Sequence, residues 1–304
     1  MSLSFSLTAI RMLLGEPNPN VRSSLRTSLF RHGLRGIQDC GSAMRSHELL
    51  GEQLFDLVVL DANMEDSDVL GIVRLVREHK LCKDPFCNVI LIADPPNPDM
   101  ARLLVNAGAD AVLIRPISVQ ALHERINLLI ESRRPFVVTQ NYIGPERRTE
   151  PRQGTTQIPE ISVPSSLRNR AFGRTDDELH LKAVSSAWEI VKKQRAERLI
   201  FQIGWLAQRI LPEEGKEDAL HPRSQIAMHI FFVCEKLVNW ADNLENEEFY
   251  TVCRKIKEKA ETVHHAQASP DPQLIAALQA DAGRLEELLS QPAGGTPPAG
   301  EEAS

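Results

Sequence analysis

Four consecutive apolar residues, Leu57, Val58, Val59 and Leu60, stand between two acids, Asp56 and Asp61. A run this short is strand-like, and an apolar side chain at every position, rather than at alternate ones, needs cover on both faces. It therefore reads as a strand of a parallel sheet covered by helices. The run hands over to Asp61-Ala62-Asn63-Met64, which places a carboxylate at the carboxyl end of a buried strand. Open α/β sheets bind ligands at that end.

Other segments share the pattern. Met12 to Leu14 is a short strand closed by Gly15, a weaker strand lies near Ile37, and strand-like runs recur at Val89 to Ile92 and Ala111 to Ile114, the last ending on Arg115-Pro116. Between them, Val21, Leu25 and Leu29 follow helical spacing, a helix runs through Met44 and Leu49, and the spacing recurs at Leu70, Val73 and Val76 and at Met100, Leu103 and Leu104. Ser118 is placed to cap a last helix carrying Val119, Leu122, Ile126 and Leu129. Five alternations of strand and helix, joined by right-handed crossovers, predict a flavodoxin-like five-stranded parallel sheet in the order 2-1-3-4-5.

The order of these features resembles the receiver domain of two-component response regulators, with Asp61 on the phosphoacceptor position. The resemblance covers roughly the first 130 residues and implies a receiver at 8–135. Such a site uses an acidic pair for Mg²⁺, a carboxylate nucleophile, a hydroxyl and a cation. The resemblance implies Glu16, Asp61 and Asn63, the last through its backbone carbonyl, as the Mg²⁺ ligands, and Ala93, Arg115 and Pro116 as the residues around the phosphosite. Several positions depart from the pattern. Pro17 replaces the second acid, Ala93 stands where Ser or Thr is expected, Val112 replaces an aromatic, and Arg115 replaces Lys before the Pro. Two readings stay open: Asp61 accepts a phosphoryl group and switches the protein weakly, or it is an inherited acid in a degenerate receiver.

From 136 to 174 apolar periodicity fades. Pro145, Pro151, Pro159 and Pro164 mix with Gly144, Gly154 and the basic residues Arg147, Arg148, Arg152 and Arg168 to Arg174, so a flexible basic linker is expected. Within it, Tyr142-Ile143-Gly144-Pro145-Glu146-Arg147-Arg148 resembles a segment that follows receiver domains in some alphaproteobacterial regulators. Thr175-Asp176-Asp177-Glu178 has capping-box spacing and predicts a long helix to Pro212. Helices through Ile226 to Trp240 and Phe249 to Ile256, separated by an acidic turn near Asp242, complete an all-α bundle over 175–266. An amphipathic helix from Leu274 to Leu289 and a disordered tail from Gln291 follow, over 267–304. Trp188, Trp205 and Trp240 are expected in the bundle core, and His180, His221, His229, His264 and His265 as core or surface residues without a phosphotransfer role.

These elements predict a cytoplasmic, non-enzymatic regulator whose atypical receiver controls a helical protein-binding output. Its partners would be proteins, a histidine kinase among them, and a homodimer is compatible with the pattern. A net charge of −6 argues against nucleic acid as the main partner, and no apolar run is long enough to cross a bilayer. Five scattered cysteines fit reduced thiols better than a metal site. The alternatives are a DNA-binding transcription regulator with an unusual helical output, or a phosphotransfer or phosphatase module acting on another receiver.

Overall fold

The structure, a computed structural model, describes residues 5–148, 158–210, 223–240, 246–266 and 271–290. Pro151, Arg152, Gly154, Pro212, His221, the turn at Asp242 and the tail from Gln291 lie outside the described residues. The chain divides into two compact units, Met1–Val191 and Lys192–Ser304.

In the first unit, strands β1 (Arg11–Gly15), β2 (Gly36–Cys40), β3 (Leu57–Asp61), β4 (Asn88–Ala93) and β5 (Ala111–Ile114) alternate with helices α1 (Pro19–Arg31), α2 (Ala43–Glu52), α3 (Val69–Arg77), α4 (Pro98–Asn106) and α5 (Val119–Glu131). The sheet is parallel throughout, in the order β2-β1-β3-β4-β5, which is the expected flavodoxin-like topology. Every residue of β3 and β4 is buried, as continuous apolar runs require. Side-chain alternation sends Leu13, Val58, Leu60 and Leu91 to a core shared with α2 and α3. The intervening Met12, Leu14, Val59, Ile90 and Ile92 go to a second core with α1 and α5. The register pairs Gly15 with Leu60, Asp61 with Ile92 and Ala93 with Ile114, so the carboxyl ends of these strands meet at one edge of the sheet.

The described part of 136–174 departs from the expected flexible linker. Strands β6 (Phe136–Val138), β7 (Ile143–Pro145) and β8 (Glu160–Ile161) form an antiparallel sheet in the order β7-β6-β8, followed by helix α6 (Ser166–Ala171). The physical reason lies in the arginines, which are internal ligands of backbone and acid rather than a solvated tether. Asp110 is buried between Arg77 Nη2 and Arg133 Nε, at 2.8 Å from each. Arg77 also donates to the carbonyls of Pro85, Cys87 and Gly108. Both guanidinium groups lie over the Phe136 ring, 5.2 and 4.8 Å from its centroid, which anchors β6 by cation–π contact. The Tyr-x-Gly-Pro-Glu-Arg-Arg segment closes over this base: Tyr142 donates to the Pro145 carbonyl, and Arg147 donates to Tyr142 Oη and to the Ala109 carbonyl. Gly108, at φ +96°, admits the approach, since a Cβ there would lie 2.8 Å from the Ile143 carbonyl oxygen. Leu167 and Ala171 of α6 join the second core, and Arg168 donates to the carbonyls of Ile130 and Glu131.

Helix α7 (Asp177–Arg209) starts where the capping-box spacing placed it, with Asp176 accepting from the Leu179 N–H. Within the first unit its His180 Nε2 lies 2.8 Å from Asp84 Oδ2, and Trp188 packs against Phe86 and His79. Trp188 thus belongs with the α/β unit rather than with the bundle.

In the second unit the end of α7 joins α8 (Arg223–Trp240), α9 (Glu247–His265) and α10 (Pro272–Ser290) around one core that includes Leu199, Ile203, Ile230, Leu237, Cys253, Ile256, Leu278 and Leu285. Trp205 departs from expectation: it is 47% exposed. Its indole lies under the Arg209 guanidinium, 4.5 Å from the ring centroid. Among the described residues, no helix is long and apolar enough to cross a membrane.

Two outcomes follow. Asp110→Ala leaves Arg77 and Arg133 as buried cations without their acid and is expected to cost about 3–5 kcal/mol in urea unfolding of the full chain; a loss below about 1 kcal/mol contradicts the buried network. Ile230 is fully buried, so Ile230→Asp places an unpaired charge in the bundle core and should abolish the bundle's cooperative transition, read by circular dichroism.

Candidate functional site

The site is built by close packing of strand ends. A Cβ at Gly15 would lie 2.7 Å from Leu60 Cδ2 and 2.9 Å from Ser46 Oγ. The glycine therefore lets the end of β1 lie against β3 and α2, and it delivers Glu16 next to Asp61. Glu16 is held through its backbone, with its N–H bonded to the Cys40 carbonyl and its own carbonyl accepting from Arg22. One of its side-chain oxygens accepts from the Asn18 N–H. Glu16 and Asp61 are 1% and 3% exposed.

Two ionised carboxylates this deeply buried need a compensating cation. Arg115 supplies it, leaving β5 just before a cis Arg115–Pro116 bond. A single guanidinium nitrogen, Nη2, lies 2.7 Å from Glu16 Oε2 and 2.5 Å from Asp61 Oδ2. The other Asp61 oxygen accepts from the Asn63 N–H at 2.8 Å. Sequence reasoning missed a third acid: Asp94, directly after Ala93, accepts from Asn63 Nδ2 at 2.6 Å and has an oxygen 3.7 Å from Arg115 Nε. Its signal was available, because it is the acid ending the next strand of the same sheet.

Burial pushes the Asp61 carboxyl above the ordinary carboxylate range. The Asn63 N–H and Arg115 pull it back, and Glu16 and Asp94 add to the rise. The loop after Asp61 is fastened at its far side by exposed Asp66, which accepts from Ser42 Oγ and from the N–H groups of Ala43 and Met44 at the start of α2. These bonds hold Asp66 at about 2, as expected for a carboxylate satisfying orphan N–H groups at a helix N-terminus.

Of the residues expected at the site, the structure thus brings Glu16, Asp61, Asn63 and Arg115 together. Ala93 is buried at the end of β4, its carbonyl accepting from the Arg115 N–H, and Pro116 is exposed. Neither Ala93 nor Val112 carries a group able to follow a phosphoryl oxygen. The expected Mg²⁺ ligand set does not fit this arrangement. Mg²⁺ demands near-octahedral oxygen ligation at about 2.0–2.1 Å, whereas one oxygen of each carboxylate is paired to Arg115 and the other to a backbone N–H. Pro17 adds no acid, and no group of three His, Cys, Asp or Glu able to hold a metal occurs among the described residues.

Residues 12–127 match the family described as the response regulator receiver domain. The transcriptional activator protein PfeR of Pseudomonas aeruginosa is 27% identical over 126 residues, which are 41% of this chain and 39% of PfeR. Similar solved structures include a CheY-like receiver domain protein from Methanospirillum hungatei, 19% identical with a TM-score of 0.36 over 39% of this chain and 90% of that one. Another is the chemotaxis response regulator CheY4 of Vibrio cholerae, 18% identical with a TM-score of 0.36 over 40% and 98%.

The raised Asp61 carboxyl makes a signed prediction. A native state that holds its proton more tightly than the unfolded chain loses stability as pH rises through the interval between the two pKa values. Asp61→Asn removes that loss. The stability difference between Asp61→Asn and wild type should therefore move in favour of the variant as pH rises from the ordinary carboxylate range through the folded pKa, measured by urea unfolding across pH. A difference moving the other way would mean that Arg115 outweighs burial.

Proposed function

We propose, from the premise that residues 12–127 form a response regulator receiver domain, that this chain is an atypical two-component regulator whose receiver, at 8–135, controls a helical protein-binding output. Asp61 holds the phosphoacceptor position, and the protein works in the cytoplasm as a signalling component rather than an enzyme. Proteins are its partners, a histidine kinase among them. The single observation carrying the reading is the Glu16–Arg115–Asp61 cluster at the carboxyl edge of a sheet with receiver topology.

The output assignment draws on the second unit. Phe201 is 63% exposed, and Trp205 and Phe232 are also solvent-facing. Large aromatic groups on a helical surface are the residues that anchor protein interfaces. The match to PfeR spans 39% of that protein, so its transcriptional output is an alternative for this chain, to be separated by experiment.

A receiver acts by shifting an equilibrium between two surfaces, and a ligand shifts it only by its differential affinity for the two states. With Ala93 and Val112 in place of a hydroxyl and an aromatic ring, a phosphoryl group on Asp61 has few contacts with which to favour one state. Protein captured from a cell extract by the full chain, identified and purified, provides the readout. Its affinity for wild type should change by less than roughly tenfold, or about 1.4 kcal/mol, when beryllofluoride is added. A larger change that vanishes in Asp61→Ala contradicts the weak switch, and salt-dependent retention of the chain on DNA instead of protein capture contradicts the protein-binding output.

A further inference from the structure

The cluster at Glu16, Asp61 and Arg115 contains two buried acids and already contains its cation. From this we infer that the Arg115 guanidinium takes the place of a divalent metal in this receiver and that the wild-type site excludes Mg²⁺. The inference rests on the reading of Asp61 as the receiver's central acid.

Three observations carry it. Arg115 Nη2 bridges Glu16 Oε2 and Asp61 Oδ2 at 2.7 and 2.5 Å, so one nitrogen stands between the two oxygens a metal would have to share. The remaining oxygen of each acid accepts from a backbone N–H, of Asn18 and of Asn63. Those bonds fix both carboxylates with one oxygen turned to the peptide chain. Finally, the neighbouring position is Pro17, which supplies neither a third carboxylate nor an N–H.

Charge makes the exclusion quantitative in sign. Glu16, Asp61 and the exposed Asp94 with Arg115 sum to two negative charges, and the same acids without the guanidinium sum to three, so Arg115 lowers the charge that draws a divalent ion in. A divalent ion entering the wild-type site must displace Arg115 from both partners or sit beside a like charge in a poorly solvated place. Arginine suits the resident role because its planar fork stays charged under all ordinary conditions. Asp94, exposed and 3.7 Å from Arg115 Nε, adds a further negative charge near the guanidinium without a hydrogen bond to it.

Manganese serves as the probe, because its electron paramagnetic resonance signal reports free ion directly and requires neither a phosphodonor nor a partner. Full-length wild type should leave the free Mn²⁺ signal undiminished beyond nonspecific binding. Arg115→Gln should bind Mn²⁺ roughly tenfold or more tightly, with Mg²⁺ competing, and the gain should disappear in Arg115→Gln combined with Asp61→Asn. If Arg115→Gln does not fold, as judged by circular dichroism, Pro17→Asp combined with Arg115→Lys restores a third acid and a compact cation and should show the same gain. Wild-type binding that Asp61→Asn abolishes would overturn the inference, as would a folded variant that gains nothing. Because metal binding is read alone, its failure is distinct from a failure to find a protein partner or a switching response.

Discussion

Two buried acids that are both ionised need a cation to answer them, and that requirement organises the carboxyl edge of this sheet. Gly15 brings β1 close enough to β3 for Glu16 to meet Asp61. The resulting pair of negative charges fixes Arg115, which in turn fixes the exit of β5. Burying these charges is costly, and an ion triad of this kind is weak evidence for added stability. What the triad does show is geometry: the ends of β1, β3 and β5 lie close enough for both carboxylates to reach one guanidinium.

The opposite edge uses the same device. Asp56 and Asp84 are buried ahead of β3 and β4, and the side chain of Asp110 is covered just before β5. Asp56 is paired with Arg11 and Arg170, Asp84 is bonded to His180, and Asp110 is held between Arg77 and Arg133. Arg170 and His180 come from α6 and α7, so the acids at the base of the sheet collect the chain that follows the five-stranded fold. The five-stranded fold is therefore extended by a docked segment in which Arg147, Arg168 and Arg170 have internal partners. The carboxyl edge is left to hold Asp61, with Asp66 fastening the adjacent loop to α2.

Much of this was legible from residue pattern. The runs ending at Leu60, Ile92 and Ile114 announced three strands because continuous apolar stretches have few alternatives, and the topology followed from chirality. Glu16, Asp61 and Arg115 were identifiable as neighbours through a family resemblance, but their mutual bonding was not, since a sequence does not tell whether an arginine spans two acids or reaches toward solvent. The segment at 136–148 was misread because strands of three residues, one ending in Pro145, leave no periodic signal. The arginines of 136–174 carried the same ambiguity as Arg115: Arg147 and Arg170 have the composition of a solvated tether but donate to the Ala109 carbonyl and to Asp56. Asp94 is visible in sequence only as an acid after a strand, and its bond to Asn63 and ion pair with Arg115 alone place it at the site. Trp205 was assigned to the core by residue type, whereas its ring lies at the surface under Arg209.

The central claim is that Arg115 is clamped by Glu16 and Asp61 and remains so when divalent metal is present. The most direct measurement is nitrogen-15 magnetic resonance of the Arg115 guanidinium in the full chain. A side chain held by both acids rotates slowly about its C–N bonds, so the account predicts resolved Nη signals that persist with Mg²⁺ in excess and collapse in Asp61→Asn. Averaged Nη signals in the wild type, or resolved signals that Mg²⁺ removes, would contradict it.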